Sequence, residues 1–357
     1  MIRAVVTGGG SAGHVVPTLP VVEALQARDW EVAYVGSDSG LEERLVTTPG
    51  VRYFGVRPGK LRRYWSIENL VDAFRVPLSI LQAFGILGRV RPHVVFSKGG
   101  FVAFPVVVAA WLRGTPVVAH ESDLSPGLAN RLSLPFITSL CVNFDATRIN
   151  ARRVIHTGTP VRPSLVHGDR ARGLTAAGFS GERPILAIVG GSLGAERLNL
   201  IVRESVPALT ARFDVLHVCG AGKVDDTYCG TQGYEQREFI GDEWGDMLAA
   251  VDLVVSRSGA NSLCELLALR KPNLLVPLPA SASRGDQIEN AAYAESQGFS
   301  MVVQEPDLTP EVLVERVNAL HSDSVSWQAR LEAFQAPDST SLIVAELEAA
   351  LKGRPER

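Results

Sequence analysis

Two glycine loops, each at a point where a β-type run gives way to a helical pattern, are the first features of this 357-residue chain that could do chemistry. Gly8-Gly9-Gly10-Ser11-Ala12-Gly13-His14 follows the run Ile2 to Thr7, and Gly190-Gly191-Ser192-Leu193-Gly194-Ala195 follows Pro184 to Val189. Glycines in that setting let a phosphate or sugar approach backbone N–H groups at a helix N-terminus, where the helix dipole favours negative charge. Read literally, Gly8-x-Gly10-x-x-Gly13 is the dinucleotide fingerprint, which requires an acidic residue about 20 positions on, at the end of the second strand. The nearest candidate, Asp38, comes 25 residues after Gly13 and follows Gly36-Ser37. A dehydrogenase also has no need of the second loop. The pair of loops fits group transfer better: a nucleotide sugar on one domain and an anionic acceptor on the other, across a cleft.

Those loops need rigid elements behind them. Short β-branched runs alternate with helical periodicity from end to end, which predicts parallel sheets built from βαβ units. The pattern predicts strands near 3–7, 31–36, 51–56, 93–97, 115–119 and 138–143, and restarts with strands near 184–189, 214–218, 236–240, 252–256, 273–276 and 300–303. At about 100 to 200 residues per domain the length predicts two domains. The expected fold is therefore α/β, two Rossmann-like domains in tandem, divided near Thr157-Gly158-Thr159-Pro160 where Gly and Pro break the pattern. Residues 1–160 form the first domain and 161–338 the second, and a helix over 339–352 follows the second sheet and packs back on the first domain.

Composition narrows the class. With 46% hydrophobic and 20% charged residues the chain is not disordered, and its 33 Gly and 21 Pro suit many tight strand-to-helix turns. Cys141, Cys219, Cys229 and Cys264 are scattered, with no CxxC and no paired histidines, so neither a zinc site nor a disulfide framework is indicated and a reducing compartment is expected. The chain enters its first strand with no basic-then-apolar leader, giving the expectation that it is not secreted. Its most apolar stretches, 76–88 and 106–112, fall short of the roughly 18 to 20 residues that span a bilayer. The net charge of −3 conceals an asymmetry: residues 1–160 carry 17 Lys and Arg against 11 Asp and Glu, and the remainder 18 against 27. The first half alone is suited to an anionic surface or ligand, and no nucleic-acid partner is expected.

Six segments now stand in order along the chain: GGGSAGH at 8–14, FSKGGFVAFP at 96–105, HESDLSPGLANR at 120–131, GGSLGAERLN at 190–199, SRSGANSLCE at 256–265 and SRGDQIENA at 283–291. Together they resemble the MurG family, the bacterial lipid I N-acetylglucosaminyltransferases of peptidoglycan synthesis, from the first strand to at least residue 300. The versions here, including GKLRRYWSIEN at 59–69, resemble the branch found in Gram-positive bacteria. The resemblance implies a GT-B fold, two Rossmann-like domains facing across a cleft. It also implies an inverting transfer of GlcNAc from UDP-GlcNAc to the C4 hydroxyl of MurNAc in lipid I, yielding lipid II. On the donor side it implies that Ser192 and the helix dipole hold the diphosphate without a metal or other cofactor, and the chain has no Asp-x-Asp of the kind that holds a divalent cation. Arg162 matches a nucleotide-contacting arginine, Ile240 a residue beside uracil, Glu265 the carboxylate on the ribose hydroxyls, and Gln287 a sugar-contacting glutamine. Ala260, Asn261 and Ser262 fall where helix N–H groups face phosphate or sugar, and Ser11, Ala12, Gly13 and Asp123 complete the implied donor set. Taken alone, Ser192 and Ser262 read as helix caps and Glu265 as an exposed helix charge. Many members have two adjacent glutamines where this chain has Asp286-Gln287, an aspartate that Arg284 could hold.

On the acceptor side, inverting transfer is a direct displacement, so a base must take the acceptor hydroxyl's proton. His14 is the first candidate, with an ordinary pKa near 6.5. Its rival role is a hydrogen-bond donor to the acceptor diphosphate. Glu121 is the second candidate base, and His120 reads as a positioning residue. Gly10, Gly13, Lys98, Gly99, Gly100, Phe101, His120 and Asn130 make the implied acceptor set; Lys98 reads equally as a solvated charge. Most relatives have His-Glu-Gln-Asn where this chain has His120-Glu121-Ser122-Asp123, and Asp123 either adds a carboxylate to the acid/base set or caps a helix starting near Pro126.

A polyprenyl-linked acceptor implies work at the inner face of the cell membrane by a peripheral, cytoplasmic protein. Ile67, Leu70, Val71, Phe74, Leu78 and Leu81 recur at helical spacing, interrupted by Pro77, with Arg62, Arg63, Arg75, Arg89 and Arg91 around them and Trp65, Trp111 and Leu112 nearby. An apolar face with a basic rim suits anionic lipid, while an amphipathic helix covering the first sheet would give the same pattern. Two other functions fit the residues: a related transferase acting on another polyprenyl or secondary-metabolite acceptor, and a UDP-GlcNAc 2-epimerase, which would need neither acceptor nor membrane face.

Overall fold

The protein is described by a computed structural model over residues 1–46, 48–59, 67–190 and 195–353, with the backbone alone described over 67–74. The chain divides into two compact units, Met1–Pro160 with Pro337–Arg357, and Val161–Ala336.

The first unit carries seven strands: β1 (Arg3–Thr7), β2 (Glu31–Ser37), β3 (Arg52–Val56), β4 (Val94–Ser97), β5 (Val117–Glu121), β6 (Ser139–Val142) and β7 (Val154–His156). They lie in the order β3-β2-β1-β4-β5-β6-β7, every neighbouring pair parallel. A parallel sheet is covered on both faces, so its strands are apolar throughout and successive side chains alternate between two cores. Val5 packs with Val35, Val95 and Val106 beneath the helices Ile67–Val90 and Ala103–Leu112. Ala4 and Val6 pack on the other face with Leu25, Phe96 and, from the helix Ser339–Lys352, Ile343, Val344 and Leu347. Pro77 lies inside the helix Ile67–Val90 instead of ending it. The ring removes one helical N–H donor, and Ser79 Oγ donates to Arg75 O at 2.8 Å beside it.

The second unit carries β8 (Ile185–Val189), β9 (Asp214–Val218), β10 (Tyr234–Arg237), β11 (Leu253–Ser256), β12 (Asn273–Leu275) and β13 (Met301–Val302), ordered β10-β9-β8-β11-β12-β13 and again wholly parallel. Leu186, Ile188 and Val255 pack against Leu198 and Val202 of the helix Glu196–Thr210 and Leu313 of the helix Pro310–Ser322. Ile185, Ala187 and Val254 face the other way, toward Leu266.

In both sheets the chain winds outward in one direction from β1 or β8 and in the other from β4 or β11. Ligands of such sheets bind beyond the carboxyl ends of the strands where the order reverses. The loops after β1 and β4 in the first unit, and the loop after β11 in the second, therefore lie where the fold places chemistry. Two elements depart from expectation. The pattern does not announce β7, a three-residue edge strand with little burial. The strand expected over 236–240 instead spans Tyr234–Arg237, and the apolar Ile240 beyond its end packs in a core cluster with Ala177, Leu216 and Met247.

Candidate active site

In the first unit the loops after β1 and β4 interlock. Gly100 has φ +83° and lies so close to the first loop that a Cβ there would sit 2.1 Å from Gly9 O and 2.7 Å from His14 Cδ2, so only glycine fits. This approach seats the His14 ring, whose Nδ1 lies 3.1 Å from Ser11 Oγ, at the end of the sheet between the two switch-point strands. Gly10 donates its N–H to Glu42 Oε1 at 2.6 Å, and Tyr34 OH donates to Gly8 O at 2.9 Å. The Gly10 N–H expected to meet the acceptor is thus already engaged by protein. Nothing in the sequence marked Glu42, which reads as an ordinary acid in the first turn of the short helix Glu42–Leu45 but is wholly buried.

The end of β5 forms a second polar cluster. His120 is fully buried; its Nε2 donates to Gly158 O at 2.7 Å and its Nδ1 lies 3.0 Å from Lys98 Nζ. Burial first, and the Lys98 ammonium second, push its pKa well below the ordinary histidine value. The imidazole is neutral, with Nδ1 accepting from the ammonium, which also meets Ser122 Oγ. Lys98 is itself buried and is no solvated charge. Glu121 is occupied on both oxygens: Oε1 accepts from Asp123 N at 3.0 Å, and Oε2 from Gly127 N and Asn130 Nδ2, each at 2.9 Å. With three N–H donors on it, this carboxylate ties the loop after β5 together. Asn130 Nδ2 also bonds His120 O at 3.0 Å, while its Oδ1 is buried without a hydrogen-bond partner, facing Gly99. Asp123 does not cap a helix near Pro126; the helix there runs Leu128–Ser133 with Gly127 as its N-cap.

In the second unit the loops after β11 and β12 and the helix Asp286–Ser296 are tied into one frame. Ser258 Oγ donates to Gln287 O at 2.8 Å, Asn290 Nδ2 to Ser258 O at 3.2 Å, and Leu278 N to Gln287 Oε1 at 3.1 Å. Beneath it the buried Arg257 donates to Val276 O at 3.1 Å and pairs with Glu305, a buried pair the sequence reading missed within SRSGAN. From this frame the helix Ala260–Ala268 projects, with Gly259 as N-cap, Asn261 and Ser262 in its first turn and Glu265 half-buried one turn further on. Burial raises the Glu265 carboxyl pKa and the Arg162 guanidinium opposes that rise, so the two implied nucleotide contacts lie within electrostatic reach of each other. Arg162 Nε is buried without a hydrogen-bond partner. Arg284 pairs with Asp286 at 3.5 Å, so this chain's substitution for a first glutamine is held by its neighbour. Gln287 Oε1 is committed to the Leu278 backbone, and the Ile240 side chain belongs to the core instead of to an open wall. Ser192 and Trp65 lie outside the described residues, as does the Phe74 side chain. Among the described residues no three His, Cys, Asp or Glu side chains gather as a metal site.

Of the apolar stripe on the helix Ile67–Val90, only the Leu78 and Leu81 side chains lie among the described residues. Ala83, Ile86, Leu87 and Val90 are buried on the sheet, whereas Leu78, Leu81 and Phe84 are exposed, as are Trp111 and Leu112. Arg113 lies 4.1 Å above the Phe84 ring, and Arg89 is exposed nearby on the same helix. Among the described residues no helix is long and apolar enough to cross a membrane.

Two doubly wound parallel sheets, with glycine loops and a histidine at the switch point of one, and Glu265 under the electrostatic influence of Arg162 in the unit of the other, define a glycosyltransferase of the two-domain α/β class. Residues 4–142 match the glycosyltransferase family 28 N-terminal domain and residues 185–343 its C-terminal domain. The chain belongs to that family, among the UDP-N-acetylglucosamine–N-acetylmuramyl-(pentapeptide) pyrophosphoryl-undecaprenol N-acetylglucosamine transferases. It is 46% identical to the protein of that name from Legionella pneumophila strain Paris, over 96% of this chain and 95% of that one. It is 45% identical to that of Lachnoclostridium phytofermentans, over 98% and 99%. The crystal structure of Acinetobacter baumannii MurG, 24% identical, shares the fold with a TM-score of 0.77 over 98% of this chain and all of that one.

Proposed function

We propose that this protein transfers N-acetylglucosamine from UDP-N-acetylglucosamine to the muramyl C4 hydroxyl of an undecaprenyl-pyrophosphoryl acceptor, the reaction that forms lipid II. The observation that carries the reading is that identity to transferases of that name runs through both units, each of which holds its own half-site. The second unit binds the donor, with Glu265 accepting from the ribose hydroxyls, Arg162 beside the nucleotide, and the first turn of Ala260–Ala268 offering N–H groups to phosphate or sugar. The departing UDP is stabilised by the N-terminus of the helix Glu196–Thr210, without a metal. The first unit binds the acceptor, and His14 takes the proton of its hydroxyl as that oxygen attacks the anomeric carbon with inversion. Neutral His120, Glu121 and Asn130 fix the loop around the acceptor, and none of them moves a proton.

The exposed Leu78, Leu81, Phe84, Trp111 and Leu112, with Arg89 and Arg113 around them, dock the protein on the anionic inner face of the cell membrane, where an undecaprenyl acceptor is anchored.

The test is UDP release from UDP-N-acetylglucosamine with and without a short-chain lipid-linked muramyl acceptor in detergent, with mass spectrometry of the product and a chelator control. Acceptor-dependent release, a product heavier by one N-acetylglucosamine and an unchanged rate in chelator are expected. Release without the acceptor, or interconversion of the donor to its 2-epimer, would overturn the reading.

A further inference from the structure

Beside the first glycine loop, at the carboxyl ends of β2 and β3, lies a cavity of about 710 Å³ whose lining, Gly10 and Phe101 apart, none of the assignments above uses. Gly10 and Phe101 line its inner edge, so it opens from the place where the two glycine loops of the first unit meet. Its lining also includes Glu42, Asp38, Arg57 and Arg75. Glu42 is wholly buried: Oε1 holds the Gly10 N–H and Oε2 has no hydrogen-bond partner. At the surface Arg57 Nε pairs with Asp38 at 2.8 Å yet keeps 74% of its side chain exposed, and Arg75 is exposed as well.

This arrangement discriminates between two kinds of anion. A pyrophosphate laid on the loop at Gly10 would find its N–H donor already bonded and a buried carboxylate against it, which is repulsive in a poorly hydrated setting. A carboxylate carried further out would meet the two exposed guanidinium groups, planar cations whose charge and several N–H donors suit it. The acceptor of the proposed reaction carries both. Its pyrophosphate is on the sugar's anomeric carbon, while the oxygen next to the reacting C4 hydroxyl bears a lactyl group extended by a peptide with free carboxylates.

We propose that the cavity formed by Gly10, Glu42, Arg57, Arg75 and Phe101 is the subsite for the acceptor's lactyl-peptide substituent, with Arg57 and Arg75 binding its carboxylates. The inference rests on the function proposed above. With the C4 hydroxyl at His14, the neighbouring substituent on the sugar is the group that reaches past Gly10 and Phe101 into this cavity.

The test compares two lipid-linked muramyl acceptors, one with the full peptide and one ending at the lactyl amide, on the full-length wild-type protein and on Arg57→Gln, Arg75→Gln and Arg57→Lys. For the peptide acceptor each glutamine variant is expected to raise the acceptor KM about tenfold, the loss of one charged hydrogen-bonded contact, with Arg57→Lys intermediate. For the amide acceptor the same variants change KM less than the peptide acceptor does, and the donor KM stays at the wild-type value, reporting an intact fold. Equal losses on both acceptors, or no loss on either, would overturn the subsite while leaving the transferase reading standing. Wild-type protein that glycosylates neither acceptor would overturn both.

Discussion

Glu42 and Gly10 are joined by a 2.6 Å hydrogen bond from backbone N–H to buried carboxylate, so the first glycine loop is held by a side chain from a separate element. A Cβ on Gly9 would fall 2.2 Å from the same Oε1, which shows how closely loop and carboxylate are fitted. Glu42→Ala would leave the Gly10 donor unpaired and the loop unsupported, at a cost of about 1 to 3 kcal/mol. Turnover should fall about tenfold or more with the donor KM unchanged. Glu42→Gln keeps a carbonyl for Gly10 and should recover most of the loss. Steady-state kinetics on the two variants check this; a glutamine variant as slow as the alanine variant would show that the charge, and not the bond, matters.

Glu121 separates two roles by stability. With three N–H donors on a buried carboxylate, Glu121→Gln places an amide NH₂ against at least one of those donors. A general base replaced by its amide keeps the fold and loses rate. A loop organiser loses both, here by roughly 2 to 4 kcal/mol. Urea denaturation of Glu121→Gln should show that loss, and an unchanged midpoint would return Glu121 to the list of bases.

These two carboxylates mark where the sequence was legible and where it was not. The glycine loops and the strand order's raw material were readable because they rest on local patterns, Gly at a strand end and alternation of β-branched runs, while Arg162 and Glu265 were singled out separately, through motifs in register with the family. Glu42 was silent because its burial depends on Gly9, in the loop after the first strand, leaving room for it, a relationship between distant segments with no local signature. Glu121 was noticed as chemistry because a carboxylate at a strand end commonly is, and only the positions of Asp123, Gly127 and Asn130 reveal that both its oxygens already accept hydrogen bonds. The strand β7 escaped for a simpler reason, since three half-exposed edge residues give no periodicity.

His14 carries the chemistry if the first unit supplies the base. Its Nδ1 lies 3.1 Å from Ser11 Oγ, which orients the ring beside the first glycine loop. His14→Ala should lower kcat by about 100- to 10,000-fold, the usual contribution of general base catalysis, while UDP binding measured by calorimetry stays within twofold of wild type. A parallel loss of UDP affinity would remove the assignment.

His217 gives the second unit a predictable acid limit. Its Nδ1 and Nε2 lie 2.7 Å from Tyr234 OH and 3.0 Å from Asn199 Oδ1 in a buried chain, and burial, with a smaller contribution from Arg203, lowers its pKa to about 3. The unfolded chain titrates near 6.5, so between these values the unfolded state binds the extra proton. Stability conferred by keeping this histidine neutral is therefore lost as pH falls below about 6.5, at about 1.4 kcal/mol per pH unit. His217→Gln should be less stable at pH 7 but show a shallower decline between pH 6 and 4, by about that slope. Denaturation midpoints across this range check the sign, and parallel curves would refute it.

Arg162 and Glu265 are coupled electrostatically within one half-site, the guanidinium opposing the rise that burial imposes on the carboxyl. If both contact the nucleotide as a unit, their effects on UDP affinity should not add. Glu265→Ala removes the acceptor for the ribose hydroxyls and is expected to weaken UDP binding about tenfold, the cost of a charged hydrogen-bonding partner. Arg162→Ala should weaken it similarly, partly because an unopposed Glu265 then takes up a proton more readily. The double variant should lose less than the product of the two, leaving an interaction term of about 0.5 to 3 kcal/mol. Calorimetric titration of UDP into the three variants measures that term directly. Strict additivity would mean that Arg162 binds the nucleotide independently of Glu265, and an unchanged affinity in Glu265→Ala would move the ribose contact elsewhere in the second unit.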